Sequence, residues 1–313
     1  MPTLPNENEV LTKMVAWAEA SPPIRALLLT SSRARPGGPV DILSDYDLIL
    51  AVTEAERFGR EETWLLHYGE PIVRWGDEGE RLGLTTYFRS AIYADHVKID
   101  YTIWPDTLLR LVAESPALLE ELDEGYRVLL DKDGATTRWK PPTHQAFIPS
   151  LPTEEEYRTL VEECFWVATY VAKSLWREEI IFARWVLTAD LRDGALRRML
   201  EWRMEIDHGW SARPGVHGRR LKALLSADTW AELVESYAEP GSENDWTALW
   251  RTMALFRRVA EEVASVLGFV YPQDTDKQMN VFLREVQHMP TGVLPPVVEP
   301  RPFPTLTQKK RAV

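Results

Sequence analysis

Between Asn8 and Glu19, apolar residues recur at Val10, Leu11, Met14, Trp17 and Ala18, and Pro22-Pro23 follows directly. That spacing predicts a helix stopped by proline. The period then shortens. Ile24 to Thr30 is a continuous apolar run, as expected of a strand buried on both faces, and Arg35-Pro36-Gly37-Gly38-Pro39 predicts a loop before Ile42. Leu48 to Val52 continues a second strand, and Trp64 to Tyr68 reads as a helix end. Ile72 to Trp75, Leu84 to Phe88 and His96 to Ile103 read as three further strands, the last closed by Pro105. Leu108 to Val112 begins a helical piece, and Tyr126 to Leu130 is a short strand ending at Asp131-Lys132-Asp133-Gly134. The first half is therefore expected to be a mixed sheet with few long helices.

The pattern changes after Pro141-Pro142, which open an irregular connector running to Pro152. Thr153 followed by Glu154-Glu155-Glu156 is a helix cap with acids in the first turn, and the next thirty residues keep helical spacing without proline. Further helices are predicted over Asp193 to Asp207, Gly218 to Leu225, Thr229 to Ser236, Asn244 to Leu267 and Asp276 to Val286. The fold class is α/β (α+β): a mixed-sheet domain over residues 1–145, a helical-bundle domain over 146–290, and a proline-rich tail over 291–313. Most of the 13 tryptophans fall in the helical half, where core packing accounts for them.

Charge and cysteine usage narrow the classes of function. A formal charge of -12, from 36 basic and 48 acidic residues, argues against non-specific nucleic-acid binding and favours a cationic partner. Lys309-Lys310-Arg311 is too short to alter that reading. No window is apolar for long enough to span a bilayer, and Met1 to Glu7 lacks the basic and apolar regions of a signal peptide, so a cytoplasmic protein is expected. Cys164 is the only cysteine, which excludes an internal disulfide and a thiolate zinc cluster; beside Phe165 and Trp166 it reads as a core thiol. The six histidines are scattered, although His96 falls on the same strand face as the acid Asp100. A monomer is expected, with a dimer left open.

The candidate chemistry lies in Ser44-Asp45-Tyr46-Asp47. Residues i and i+2 of a strand share a face, so Asp45 and Asp47 point together, while Tyr46 and Leu48 point away. Asp100, in a later strand with Lys98 on its own face, completes a three-acid cluster if the two strands are neighbours. Such a cluster suits magnesium. Ser31, Ser32 and Arg33 follow the first strand, where amides, hydroxyls and a guanidinium can surround phosphate.

These residues carry a resemblance to the nucleotidyltransferase superfamily, whose pattern is Gly-Ser, then Asp-x-Asp, then a distant third acid. Leu28 to Ala34, Ser44 to Asp47, Ile99-Asp100, Phe165 to Leu175, Gly218 to Lys222 and Leu267 to Pro272 together look like the streptomycin 6-adenylyltransferase family of aminoglycoside-modifying enzymes, over residues 5 to 290. The resemblance implies transfer of AMP from ATP to a hydroxyl of streptomycin, with magnesium, in a cleft between a nucleotidyltransferase domain and a helical domain. It implies that Ser31, Ser32 and Arg33 contact the triphosphate, that Lys173 and Lys222 approach phosphate from the helical side, and that Asp45 and Asp47 hold magnesium. Asp100 would share the metal or act as base. The family's glycine stands here as Ser31, which is expected to weaken nucleotide binding or to require an altered turn.

Streptomycin carries guanidinium groups, so acids of the helical half are candidate acceptor contacts: Glu178, Glu179, Glu201, Glu205 and Asp207, with Trp202 or Trp210 stacking beside a guanidinium or sugar. For most of these acids a solvated helix charge is the commoner reading, and for the tryptophans a place in the core. The alternatives for function are transfer to another small molecule, transfer to a protein hydroxyl, and a nucleotide-binding homologue without activity.

Overall fold

The computed structural model describes residues 5–38, 40–237 and 242–290; Pro39, the proline-rich tail over 291–313 and Lys309 to Arg311 lie outside the described residues. The chain forms two compact units, Met1–Ile148 and Pro149–Val313.

The first unit opens with helix α1, Glu7–Ala20, whose capping box pairs Asn6 with Glu9. Its apolar stripe of Val10, Leu11, Met14 and Ala18 is buried, and each large member contributes roughly 1.5–3 kcal/mol through burial. Strand β1, Ile24–Thr30, runs into a single helical turn, α2, Ser31–Ala34. Strand β2, Tyr46–Val52, is followed by α3, Ala55–Arg60, and a 3-10 turn at Thr63–His67. Then come β3, Pro71–Arg81, β4, Leu84–Tyr93, and β5, Lys98–Pro105. Two short helices, α4, Thr107–Glu114, and α5, Glu120–Asp123, lead to β6, Tyr126–Asp131.

The six strands lie in the order β3-β4-β5-β2-β1-β6. Only β2 and β5 are parallel, so the sheet is mixed, as the sequence pattern predicts. Alternation along β1 and β2 divides the core in two. Leu27, Leu29, Leu48 and Leu50 pack with α1, Phe58 and Leu65 on one face. Leu28, Ile49 and Ala51 pack with Trp104 and the α4 residues Leu108, Leu109 and Val112 on the other. Such double burial explains why both strands read as unbroken apolar runs.

Two expectations need correction here. The strand foreseen at Ile72 to Trp75 extends to Arg81, because its acidic, glycine-containing second half is held by the antiparallel ladder to β4. Exposed along almost its whole length and rich in charge, it is a protected sheet edge. His96 is not on the strand of Asp100: it sits in the preceding turn at φ 67, and β5 begins at Lys98.

The second unit is helical. Thr153 and Glu156 form the expected capping box of α6, Glu154–Trp176. Next is a continuous rod of α7, Ile180–Trp185, a π-helical stretch over Val186–Leu196, and α8, Arg197–His208, closed by Gly209 at φ 62. The predicted helix over Gly218 to Leu225 shrinks to α9, Leu221–Leu224, because His217 and Gly218 both have positive φ. Then follow α10, Ala227–Glu235, α11, Ser242–Leu267, and α12, Gln273–His288. Cys164 is fully buried in the core of this unit, 3.8 Å from the Met253 sulfur, and burial pushes its thiol well above the usual range. Among the described residues, no helix is long and apolar enough to cross a membrane.

Candidate active site

The parallel pairing of β2 with β5 sets Asp47 directly beside Asp100. Neighbouring strands lie about 4.8 Å apart, so in-register carboxylates on one face meet without help from any loop. Asp45 stands two residues before Asp47, at the entrance to β2. The three acids expected to form one site are therefore brought to one end of one sheet.

A residue that sequence reasoning placed on the right face without a task completes the group. The Lys98 ammonium donates to Asp45 Oδ2 at 2.6 Å and to Asp100 Oδ2 at 2.9 Å. Asp100 is also fixed from β4, whose Ser90 hydroxyl donates to Oδ1 at 2.5 Å. Ser90 and Asp100 are register partners, so only the β4–β5 pairing could have revealed that contact. Burial pushes Asp47 up to about 6, and the nearby charges of Asp100 and Asp45 push the same way, against Lys98 and the Ser31 hydroxyl. For Lys98, burial disfavours the charged form, but the hydrogen bonds and charges of Asp45 and Asp100 win and hold its pKa above the ordinary value.

The donor set fits a hard divalent cation, since it consists of carboxylate oxygens whose mutual repulsion a cation would relieve. Among the described residues, however, no three His, Cys, Asp or Glu side chains already converge as metal ligands. The reason is visible in the geometry: the lysine lies between Asp45 and Asp100 and draws Asp45 toward itself.

The turn after β1 lies beside these acids. Thr30 turns its hydroxyl to the Asp47 carbonyl at 3.3 Å and leaves α2 without a side-chain cap. Ser31 occupies φ 57, a conformation that favours glycine. The turn has therefore kept the glycine geometry, and the serine bears the strain instead of reshaping it. Gly38 crosses so close over the turn that any side chain there would strike the Ser32 carbonyl.

Arg33, expected at the triphosphate, is otherwise engaged. Its guanidinium donates to the carbonyls of Asp45 at 3.0 Å and Ser44 at 2.8 Å and to Glu7 at 3.1 Å. It also lies 4.0 Å over the Tyr46 ring. With its side chain only 8% exposed, it staples the segment entering β2 to the phosphate-sized turn and to α1. It thus sets where Asp45 stands.

The remaining candidates belong to the helical unit. Lys173 is half-buried, with its ammonium 4.7 Å over Tyr170, and Lys222 is exposed on α9. Glu178 and Glu179 are exposed in the turn between α6 and α7. Glu205 is fully buried, with one oxygen accepting from the Ala212 amide at 3.2 Å, and burial pushes its carboxyl up. Trp202 packs in the helical core, and Trp210 packs against it. Glu201 is paired with Arg197 at 2.7 Å and Asp207 with Arg203 at 2.8 Å. Of these acids, Glu178, Glu179 and Asp207 face solvent, whereas Glu205 and Trp202 are buried in the helical unit.

A mixed sheet that presents an Asp-x-Asp pair beside the uncapped Ser31-Ser32 turn, with a third acid on the parallel neighbour, has the pattern of a nucleotidyltransferase. Comparison with known proteins narrows the class. The family described as Streptomycin adenylyltransferase matches residues 4–286, and the chain belongs to this family of aminoglycoside adenylyltransferases. An aminoglycoside 6-adenylyltransferase of Bacillus subtilis (strain 168) is 30% identical over 271 residues, covering 85% of this chain and 93% of that protein. One of Campylobacter jejuni is 29% identical over 283 residues, covering 90% and 96%. A crystal structure of an aminoglycoside 6-adenyltransferase from Bacillus subtilis aligns with 91% of this chain and 100% of its own, at 27% identity and a TM-score of 0.45.

Proposed function

We propose that this aminoglycoside adenylyltransferase transfers AMP from ATP to a hydroxyl of streptomycin, at the 6 position that the names of its relatives specify. The observation that carries the reading is the register of Asp47 with Asp100 beside the Ser31-Ser32 turn. Uncapped amides and the Ser32 hydroxyl in this turn receive the triphosphate. Asp45 and Asp47 hold magnesium, which when bound neutralises phosphate charge and orients the α-phosphorus.

Asp100 is the base. Ser90 and Lys98 fix its carboxylate, and it borders the open cavity through which an acceptor arrives. It takes the hydroxyl proton as the acceptor oxygen forms a bond to the α-phosphorus. The bond from that phosphorus to the β-bridging oxygen breaks, and its electron pair leaves with pyrophosphate. Lys98 keeps Asp100 oriented, and Asp45, which it also holds here, would turn to a bound cation. The reaction takes place in the cytoplasm, where ATP and magnesium are supplied, and a monomer suffices because every group named in it comes from the first unit of one chain.

The test is magnesium-dependent pyrophosphate release from ATP across a panel of aminoglycosides beginning with streptomycin, with the product weighed by mass spectrometry. Streptomycin heavier by one AMP is expected. The same product from a different aminoglycoside would reassign the acceptor, and no adenylylated product from any of them would overturn the reading.

A further inference from the structure

The register that joins Asp47 to Asp100 continues outward. Asp100 pairs with Ser90 on β4, and Ser90 pairs with Trp75 on β3. Trp75, Ser90, Asp100 and Asp47 thus form one row across four adjacent strands, with their side chains on the same face. Strand spacing places Trp75 two strands, or about 10 Å, from Asp100.

This outer face is partly open. The α4 cluster packs on the same face over Ile49 and Trp104 and meets β4 at Leu84. A cavity of about 390 Å³ remains there, walled by Val73, Trp75, Phe88 and Ile92 and ending at Asp100 and Lys98. The Trp75 indole is 60% exposed and lies 5.6 Å from the Phe88 ring at a tilt of 60°. Asp77, opposite Phe88 on the same face, adds an exposed carboxylate two residues along β3 from Trp75. Arg74 also borders the cavity, but its guanidinium is tied to Glu62 at 3.3 Å.

We propose that this shelf on the β3–β4 hairpin seats the acceptor, a cationic aminocyclitol or amino sugar that stacks on Trp75 and Phe88 and presents its hydroxyl to Asp100. The proposal rests on the adenylyl-transfer reading above and adds Trp75 and Phe88 of the sheet to the groups that receive the acceptor. Three features favour this occupant. An indole face attracts guanidinium and ammonium groups and stacks on the apolar face of a sugar ring. The exposed carboxylate of Asp77, beyond Trp75 on the same face, matches a positive substituent of the ring. Finally, the cavity is continuous with the base itself, so a ring held on Trp75 needs only its own substituents to span the remaining distance.

The experiment compares the full-length protein with its Trp75→Ala and Trp75→Phe variants. Acceptor and ATP are varied separately, and sedimentation velocity is run on all three proteins. Trp75→Ala should raise the acceptor KM about tenfold, as expected for loss of one stacked cation, with the ATP KM within about twofold of the original. Trp75→Phe should restore most of the acceptor KM, and it keeps the test intact if the alanine variant folds poorly. Adenylylated product from the original protein with the same acceptor KM in all three would overturn the shelf and leave the function standing. A fall in assembly state with the alanine variant and an unchanged acceptor KM would also overturn it, by giving the exposed edge to a second copy of the chain. Absence of adenylylated product from the original protein would overturn the function itself and the shelf with it.

Discussion

The acid cluster at the end of the sheet and the arginine-paired acids of the helical unit are treated in opposite ways. In the helical unit, Asp276 faces Arg257 at 2.9 Å, Asp245 faces Arg184 at 3.0 Å, and Glu201 shares Arg197 with Asp193. Each of these acids has an arginine of matching geometry, and its charge is spent on holding helices together. At the end of the sheet, Asp45, Asp47 and Asp100 share a single lysine. Burial pushes the Asp47 carboxyl up to about 6, and the partly uncompensated repulsion of Asp100 and Asp45 adds to that push. The arginine-paired acids hold helices together, whereas the three at the end of the sheet, left short of positive charge, make a donor set that suits a cation.

The largest expected effect of breaking this contrast comes from Asp47→Asn. Transfer should fall at least about 10²- to 10³-fold in the pyrophosphate assay, as for loss of one key electrostatic group. Stability should move the other way. Because its folded pKa lies above the ordinary 3.8, Asp47 binds its proton more tightly in the folded chain. Its contribution is therefore most favourable below about pH 4 and is lost as pH rises through about 6. At pH 8 in chelator, the asparagine variant should gain about 1–3 kcal/mol by urea titration, and at pH 4 it should gain almost nothing. A gain of equal size at both pH values would sink this account.

Asp276→Ala is the counterpart in the helical unit. It leaves a partly buried Arg257 unpaired and should cost about 2–3 kcal/mol in the same titration, with turnover per folded molecule unchanged. Lost turnover without lost stability would move Asp276 into the functional class.

How far this contrast was legible in the sequence follows from the range of the interactions. Strands and caps set by local pattern, such as Ile24 to Thr30 and Thr153 with Glu156, could be read directly. So could the sharing of a face by Lys98 and Asp100. Contacts fixed by register between distant strands could not. Ser90 beside Asp100 depends on the β4–β5 pairing, and the row out to Trp75 on β3 as well, because a shift of one residue would turn every side chain to the other face. Arg33 beside two serines reads as a phosphate ligand because its carbonyl partners, on Ser44 and Asp45, are brought near only by folding. The burial of Glu205 and Trp202 was hidden for a similar reason, since α8 is inside the bundle on more than one face.

Lys98→Met sharpens the comparison by removing the one shared positive charge. In chelator at pH 8, stability should drop by about 1 kcal/mol, the upper range for a half-exposed pair. Lysine is held above its ordinary pKa, so its contribution is complete at pH 8 and is lost only in strong alkali. Binding of manganese, followed by electron paramagnetic resonance, should tighten by about 3- to 10-fold once the competing ammonium is gone. Weaker binding would mean that Lys98 organises the acids for the metal rather than competing with it.

Ser31→Gly should have the smallest effect. The left-handed backbone costs a serine roughly 1–2 kcal/mol, while glycine adds about 0.5–1 kcal/mol of unfolded-chain entropy. The melting temperature should rise by no more than about 3 °C in a thermal scan. A clear drop would show that the serine hydroxyl beside Asp47 outweighs the strain.

The bridge made by Lys98 also bears on how the chain reaches its native state. A site whose acids met only through a bound ion would leave a newly made chain dependent on the supply of that ion. Here the counter-ion is encoded in the chain, on the same strand as one of the acids it serves. Assembly of the sheet thereby needs no cation, and under the proposed function a molecule treated with a chelator would keep the scaffold to which a metal could return.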